Sequence, residues 1–198
     1  MKVLLIIIFF SFCREQISAQ SSIDTTYKVE LSITVCPLIN HFRYERYPGA
    51  KKAIAIGEGI FIRSMWHPGR LLSVGLLSGY ALVSKDRFFV NNNLNYEIGE
   101  EASARLSAIP LQIVVSMQSE ILEFGLGMGP YLMLTTINFG RPSYGRRFEL
   151  GMTFFSSYYF SLGKNIYLGP ELRMLYLSYR GILSVMPSVT FRFDAFRY

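Results

Sequence analysis

One stretch restricts the fold more than any other, the segment from Arg105 to Thr135, which predicts two long strands joined by a tight polar turn. The second of these strands, over residues 121–134, has the sequence ILEFGLGMGPYLML. Large apolar residues occupy every second position, which predicts a β-strand. One face carries Leu122, Phe124, Leu126, Met128, Pro130, Leu132 and Leu134, and the other carries Glu123, Gly125, Gly127, Gly129 and Tyr131. A soluble sheet has charges, not glycines, opposite its apolar face. This pattern instead fits a membrane-spanning strand with lipid on one side and a crowded, semi-polar barrel interior on the other.

The first 19 residues are predicted to be a signal peptide. Lys2 precedes an apolar run over residues 3–12, and a small-residue cleavage site ends at Ala19. The run is too short to cross a bilayer as a helix and is typical of a secretory signal. A signal anchor is disfavoured because charged residues follow the run directly, and a lipid anchor at Cys13 is disfavoured because a bulky residue precedes it.

Residues 20–198 are predicted to form one all-β domain. Half of the sequence is apolar, yet no segment after the leader has the 18 or more apolar residues of a spanning helix. Since only helices and closed barrels satisfy the backbone in lipid, the composition predicts a closed antiparallel transmembrane β-barrel. A soluble, lipocalin-like barrel is the alternative fold. Cys36 is the only cysteine left after removal of the leader, so no internal disulfide is expected.

The charge of the exported chain is mildly positive. Removing Lys2, Arg14 and Glu15 from 20 basic and 14 acidic residues leaves 18 and 13, a net charge of +5. No dense basic cluster indicates nucleic acid, so the excess favours contact with anionic lipid or glycan at a membrane surface.

Alternation along the chain predicts eight strands, at 27–35, 53–63, 70–83, 105–116, 121–134, 147–160, 165–179 and 184–197. Pro37 is expected to end the first strand, and loops are expected at 84–103 and 136–146, with a hairpin that protrudes from the first of these loops as an open alternative. A ninth strand at 88–98 is disfavoured because single-chain bacterial barrels have even strand numbers. In the second strand, Glu58 falls on the apolar face, which predicts either a bulge at a neighbouring glycine or a different register.

Three pieces of the sequence resemble a known family. They are the strand segment Ile109-Pro110-Leu111, the strand end Gly127-Met128-Gly129-Pro130-Tyr131, and the late strand over residues 168–177. Together they resemble the outer-membrane β-barrel domain family of small, porin-like bacterial proteins. The resemblance implies an eight-stranded barrel in the bacterial outer membrane of a Gram-negative cell envelope, inserted by the barrel-assembly machinery.

The C-terminus resembles the assembly signal of such barrels. Phe196 and Tyr198 provide the terminal aromatic pattern, but Asp194 and Arg192 occupy positions where apolar residues are expected. A bulge around Ala195 would restore the alternation.

The predicted interior face collects charged side chains. They are Lys28, Glu30, Glu123, Glu149, Glu171, Arg173, Arg192 and Asp194. An eight-stranded barrel has an interior just wide enough for side chains to fill, and buried charges must pair. The sequence therefore predicts a salt-bridge network that plugs the lumen; a narrow pore or a component of an export machinery is the alternative.

Catalysis, metal binding and a cofactor are not predicted. A lipid-modifying outer-membrane hydrolase would need a histidine, a serine and an acid. His41 and His67 are the only histidines, no Gly-x-Ser-x-Gly motif occurs, and no serine is evidently paired with either histidine. Two distant histidines do not make a metal site.

The first long loop carries a basic, tyrosine-rich patch formed by Arg43, Tyr44, Arg46, Tyr47, Lys51 and Lys52. The favoured interpretation is a girdle whose tyrosines and cations lie at headgroup depth; the alternative is that the patch faces outward and binds lipopolysaccharide or a surface glycan. The sequence thus predicts a non-enzymatic barrel with a structural or surface-interaction role. Outer-membrane lipid and lipopolysaccharide are the expected partners, and a partner protein of the envelope is left unidentified.

Overall fold

The computed structural model describes residues 27–43, 54–68, 71–90, 100–119, 121–139, 141–178 and 181–197. The predicted signal peptide lies outside these residues. Nine antiparallel strands are present: β1 (Lys28–Phe42), β2 (Ile54–His67), β3 (Leu72–Val90), β4 (Glu100–Gln118), β5 (Leu122–Phe139), β6 (Arg141–Tyr158), β7 (Phe160–Ser161), β8 (Ile166–Leu177) and β9 (Ile182–Arg197). Among the described residues, no helix has the length and apolar character needed to span a membrane.

The pairings form a closed ring. Consecutive strands pair from β1 to β6, β6 pairs with β8, β8 with β9, and β9 with β1. The two-residue β7 continues β6, since Ser157 lies opposite Glu171 and Phe160 opposite Leu168 in an unchanged register. The gap falls opposite Pro170, which has no N–H to donate. Eight long strands were predicted, and the structure has eight long strands plus this short continuation.

The outer face of the ring is apolar and the interior is polar in part. On β1, Leu31, Ile33 and Val35 are 41–59% exposed, whereas Glu30 and Thr34 are almost completely buried. The same alternation continues around the ring. Water-soluble domains bury their large apolar side chains, so this distribution is the reverse of theirs.

The interior divides into two halves along the strands. At the terminal end, where β1 begins and β9 ends, large charged side chains are buried, among them Arg63 and Arg192. Toward the opposite end the buried side chains are mainly apolar: Leu38, Phe42, Val83, Leu106, Met133, Leu177, Ile182 and Met186. Side chains therefore fill both halves of the interior.

Two prolines interrupt the ladder between β1 and β9. The prediction that Pro37 ends the first strand is wrong, because β1 continues to Phe42. Pairing with β9 lapses around Pro37 and resumes in the same register, which places Pro37 opposite Pro187. Neither proline has an N–H, so the strand passes through this point without ladder hydrogen bonds.

Glu58 lies on the outer face of β2. The pairing with β1 runs through Glu58 opposite Pro37 without a register shift, so the expected bulge is absent and the alternation itself was correct. Gly57 instead permits close approach of β3, since a Cβ there would lie 1.8 Å from the carbonyl oxygen of Leu82.

Four strands continue past the rest of the ring. We define the four-stranded extension as residues 84–90, 100–108, 133–139 and 141–148, in which β3 pairs with β4, β4 with β5 and β5 with β6. The loops predicted at 84–103 and 136–146 are therefore largely strand, although 91–99 lie outside the described residues. The alternation was not visible because these segments are rich in polar residues and β6 is exposed on both faces from Arg141 to Phe148.

Candidate functional site

The central cluster of the interior consists of Arg63, Glu123, Tyr159, Glu171 and Arg173. Arg63 Nη2 donates to Glu123 Oε2 at 2.9 Å and to the Tyr159 hydroxyl at 3.0 Å. The Tyr159 hydroxyl in turn donates to Glu123 Oε2 at 3.0 Å. Arg173 Nε donates to Glu171 Oε1 at 2.8 Å, and Arg63 Nη2 lies 3.7 Å from Glu171 Oε2. With two cations and two carboxylates, the cluster is electrically balanced.

Aromatic rings separate the central cluster from the strands around it. The guanidinium of Arg63 lies 4.0 Å from the centroid of Phe155, and that of Arg173 lies 4.6 Å from Phe61. Gly125 makes room for the Phe155 ring, since a Cβ at this glycine would lie 2.1 Å from it. Stacking on an aromatic ring stabilises a guanidinium that is held away from water. Gly125, the rings of Phe155 and Phe61, and the two arginines therefore pack together as one layer.

The terminal cluster surrounds Glu30 at the terminal end. Its carboxylate contacts Lys28, lies 2.8 Å from His67 Nε2 and 3.8 Å from Arg192 Nη1. The Arg192 guanidinium is stacked between two rings, 4.0 Å from Tyr159 and 4.3 Å from Tyr167. Tyr159 therefore contacts both clusters.

A serine pairs with one histidine, contrary to the sequence analysis. The Ser73 hydroxyl contacts His67 Nδ1, while His67 Nε2 faces Glu30, so a serine, a histidine and an acid lie in a row. The pairing was missed because the predicted second strand ended at residue 63, whereas β2 continues to His67 and lies beside β3, which carries Ser73. Ser73 has 0% exposure, and a nucleophile must be reachable by its substrate. The row therefore resembles a catalytic triad in composition and lacks its accessibility.

Comparison with solved structures identifies proteins of similar fold. The structure of Neisserial surface protein A matches with a TM-score of 0.52 and 14% identity, over 84% of this chain and 96% of that chain. In fold, the chain is similar to Neisserial surface protein A. Ail, the attachment invasion locus protein of Yersinia pestis, in complex with the heparin analogue sucrose octasulfate, matches with a TM-score of 0.49 and 10% identity, over 84% and 99% of the two chains. The N-terminal β-barrel domain of Pseudomonas aeruginosa OprF matches at 0.46 and 14%, over 82% and 97%.

Sequence comparisons add nothing to this result: no family model and no curated protein sequence matches the chain. The similarity to Neisserial surface protein A therefore establishes the fold alone.

The structure brings some of the predicted interior charges together and separates others. Glu30 meets Lys28 and Arg192, and Glu171 meets Arg173. Glu123 joins them through Arg63, which lies at the end of a predicted strand and was not among the predicted interior charges. By contrast, Glu149 contacts Arg147 at the margin of the extension, and Asp194 contacts Arg197.

Arg63 could have been found from the sequence. It follows Ile60 and Ile62 on the opposite face of the same strand, which is the interior face. The predicted strand ended at Arg63, so this residue was not assigned to the interior face. In the structure, β2 continues to His67.

The predicted loop patch falls mostly outside the described residues. Arg43 is described and exposed; Tyr44, Arg46, Tyr47, Lys51 and Lys52 are not described. The extension carries other exposed cations, among them Lys85 and Arg105. Among the described residues no group of three or more histidine, cysteine or acidic side chains could hold a metal ion.

At the C-terminus the register shifts opposite Val29 and Glu30, with Ala195 as the extra residue. The bulge turns Asp194 inward and leaves Phe196 68% exposed on the outer face. Tyr198 lies outside the described residues.

Proposed function

We propose that this chain is a non-enzymatic bacterial outer-membrane protein, an eight-stranded closed barrel with a filled lumen. We further propose that it acts in membrane integrity or surface interaction through its extended end. The observation that carries the proposal is the apolar outer face around a buried, paired set of charges. Such a ring is stable where lipid covers the outside, because within the ring each long strand pairs with a neighbour on both sides, interrupted in the β1–β9 ladder only at the two facing prolines. Residues 1–19 would direct export, and the aromatic C-terminus would direct assembly.

The filled interior favours a plug over a pore. The central cluster neutralises its own charge, and the apolar half closes the interior on the side of the extension. A hydrated path would need to displace both layers. Insertion into planar bilayers should therefore produce no discrete conductance steps. Steps that change in size when Glu123→Gln is introduced would instead support the narrow-pore or export-machinery alternative.

The Ser73–His67–Glu30 row is the observation in favour of a lipid-modifying hydrolase. Its burial argues for a structural role, in which the Ser73 hydroxyl and Glu30 hold the imidazole at the terminal end. Expression of the Ser73→Ala variant should leave the lipid composition of the membrane as the wild-type protein leaves it. Accumulation of an uncleaved lipid only in that variant would establish an enzyme.

The first test of the proposal is gel mobility of the membrane-extracted protein, with and without boiling. A closed barrel stays compact in detergent, so the unboiled protein should migrate faster. Equal migration together with release from membranes by salt would overturn the membrane assignment and favour a soluble binding barrel.

A further inference from the structure

The outward face of the four-stranded extension carries a group of cations. Lys85 and Arg105 lie directly opposite each other on β3 and β4, and Arg105 lies opposite Thr136, which lies opposite Tyr144 on β6. Arg87 and Arg146 lie one row above and one row below. All four cations are exposed. Among the side chains described on this face from Ser103 to Phe148, none is acidic.

The pairing of Lys85 with Arg105 is unfavourable by itself, since like charges directly opposite on a sheet repel. Arg105 is also held in place: its Nη2 donates to the Tyr80 hydroxyl at 2.7 Å, and that oxygen lies 2.7 Å from Ser107 Oγ. Tyr80 belongs to the part of β3 inside the ring, so this bond draws the guanidinium toward the apolar band. A bound anion would relieve the repulsion between Lys85 and Arg105.

The height of the group matches a lipid headgroup. The outer face of β5 is apolar from Phe124 to Leu134, a rise of about 25 Å for a tilted strand, the height of the apolar band of such barrels. Thr136, level with Arg105, is the next outward residue, and the exposed Phe148 and Leu150 lie just below Arg146. Cations thus sit immediately above a surface suited to acyl chains.

The spread of the group indicates more than one phosphate. Lys85 on β3 and Arg146 on β6 are separated by three strand spacings, about 14 Å, which exceeds the size of a single phosphate. Arginine is suited to bidentate contact with phosphate oxygens. We propose that this face binds a membrane lipid whose headgroup carries two phosphates, as lipid A does, with its acyl chains along β4 to β6. The site rests on the proposed function, and it moves the expected lipopolysaccharide contact from the β1–β2 loop to the extension.

The test compares two double variants of the full-length, detergent-extracted protein. Arg105→Gln with Arg146→Gln removes two cations from the site. Arg141→Gln with Lys164→Gln removes two exposed cations elsewhere, one on the other face of the hairpin and one in the turn before β8. Binding of bisphosphorylated lipid A is measured by native mass spectrometry, with dephosphorylated lipid A and inorganic phosphate as further probes.

We expect the Arg105/Arg146 variant to bind bisphosphorylated lipid A at least tenfold more weakly, the Arg141/Lys164 variant to bind as wild type, and the dephosphorylated lipid to bind weakly to all three proteins. Equal loss in both double variants would show unspecific attraction and overturn the site. Complete displacement of lipid A by millimolar inorganic phosphate would show that the site binds free phosphate and would overturn the proposal that its ligand is a lipid.

Gel mobility separates this inference from the proposed function. A variant that keeps the mobility shift and loses no lipid binding refutes the lipid site only. Absence of the shift in the wild-type protein refutes the barrel itself.

Discussion

At the scale of single residues, Arg63 connects most of the central cluster. It contacts Glu123, Tyr159 and Glu171, and it is only 1% exposed. Arg63→Met removes the cation and leaves Glu123 buried without it. We expect a loss of about 3–5 kcal/mol in the free energy of unfolding, the usual effect of breaking a buried ion pair. The measurement is the urea concentration at which the unboiled protein loses its fast gel mobility.

A second substitution tests the reason for that loss. Adding Glu123→Leu to Arg63→Met restores the balance of charge, since Arg173 still pairs with Glu171. The double variant should regain most of the lost stability. If it is no more stable than Arg63→Met, the role of Arg63 is its packing on Phe155 and not its charge.

Gly125 gives a prediction about packing. Gly125→Ala places a methyl group where the Phe155 ring lies, and that ring is itself held against Arg63. Overpacking of this kind costs about 1–3 kcal/mol, which should appear as a lower urea midpoint. Gly163→Ala is the matched control, because nothing lies within 4 Å of a Cβ there. Equal midpoints for the two variants would mean that the ring moves without cost.

At the scale of elements, the extension should be separable from the ring. Replacing residues 136–144 by Asn-Gly joins Thr135 to Gly145, which already lie opposite each other, through a two-residue hairpin turn. Because the pairings of β6 with β8 begin at Gly151, we expect the shortened protein to keep its gel mobility shift. The deleted segment contains none of the cations Lys85, Arg87, Arg105 and Arg146, so the affinity for bisphosphorylated lipid A should stay close to that of the wild-type protein. Loss of the mobility shift would instead make the hairpin part of the folding unit.

The strands inside the apolar band could be predicted from the sequence, and those beyond it could not. Around Leu126 or Ile33 the alternation is imposed by lipid on one side and packed side chains on the other. Around Arg87 or Tyr144 the side chains are mainly polar, so the pairing leaves no apolar period to read. The end of the first strand was predicted wrongly because Pro37 was taken as a strand terminator. Pro37 is acceptable within β1 because the residue opposite it on β9 is also a proline, so neither residue has an N–H to donate.

The interior site was predictable in its composition and not in its contacts. Alternation places Glu30, Glu171 and Arg192 on the inner face, but which charges meet depends on the register of strands that are distant in sequence. The role of Tyr159 between the two clusters depends on that register. The contact of Ser73 with His67 depends instead on the bounds and register of the neighbouring strands β2 and β3. Parity along one strand carries no such information.

At the scale of the whole molecule, the orientation in the membrane can be measured. In a Cys36→Ser background, Arg141→Cys places a thiol on the extension and Gly163→Cys places one in the turn at the terminal end. The proposed orientation puts the extension outside the cell, so a membrane-impermeant maleimide should label intact cells at position 141 and not at 163. Both should react after lysis. Labelling at 163 alone in intact cells would reverse the orientation.

The two facing prolines also determine where the ring is least firmly closed. β1 and β9 are the first and last strands, so theirs is the one ladder among the described strands that joins the two extremes of the chain. A contact between such distant parts forms late in folding, and here Pro37 and Pro187 leave its middle without hydrogen bonds. The same line is therefore where the barrel separates at the lowest cost. Backbone amides flanking the two prolines should exchange with deuterium sooner than those of any hairpin within the apolar band.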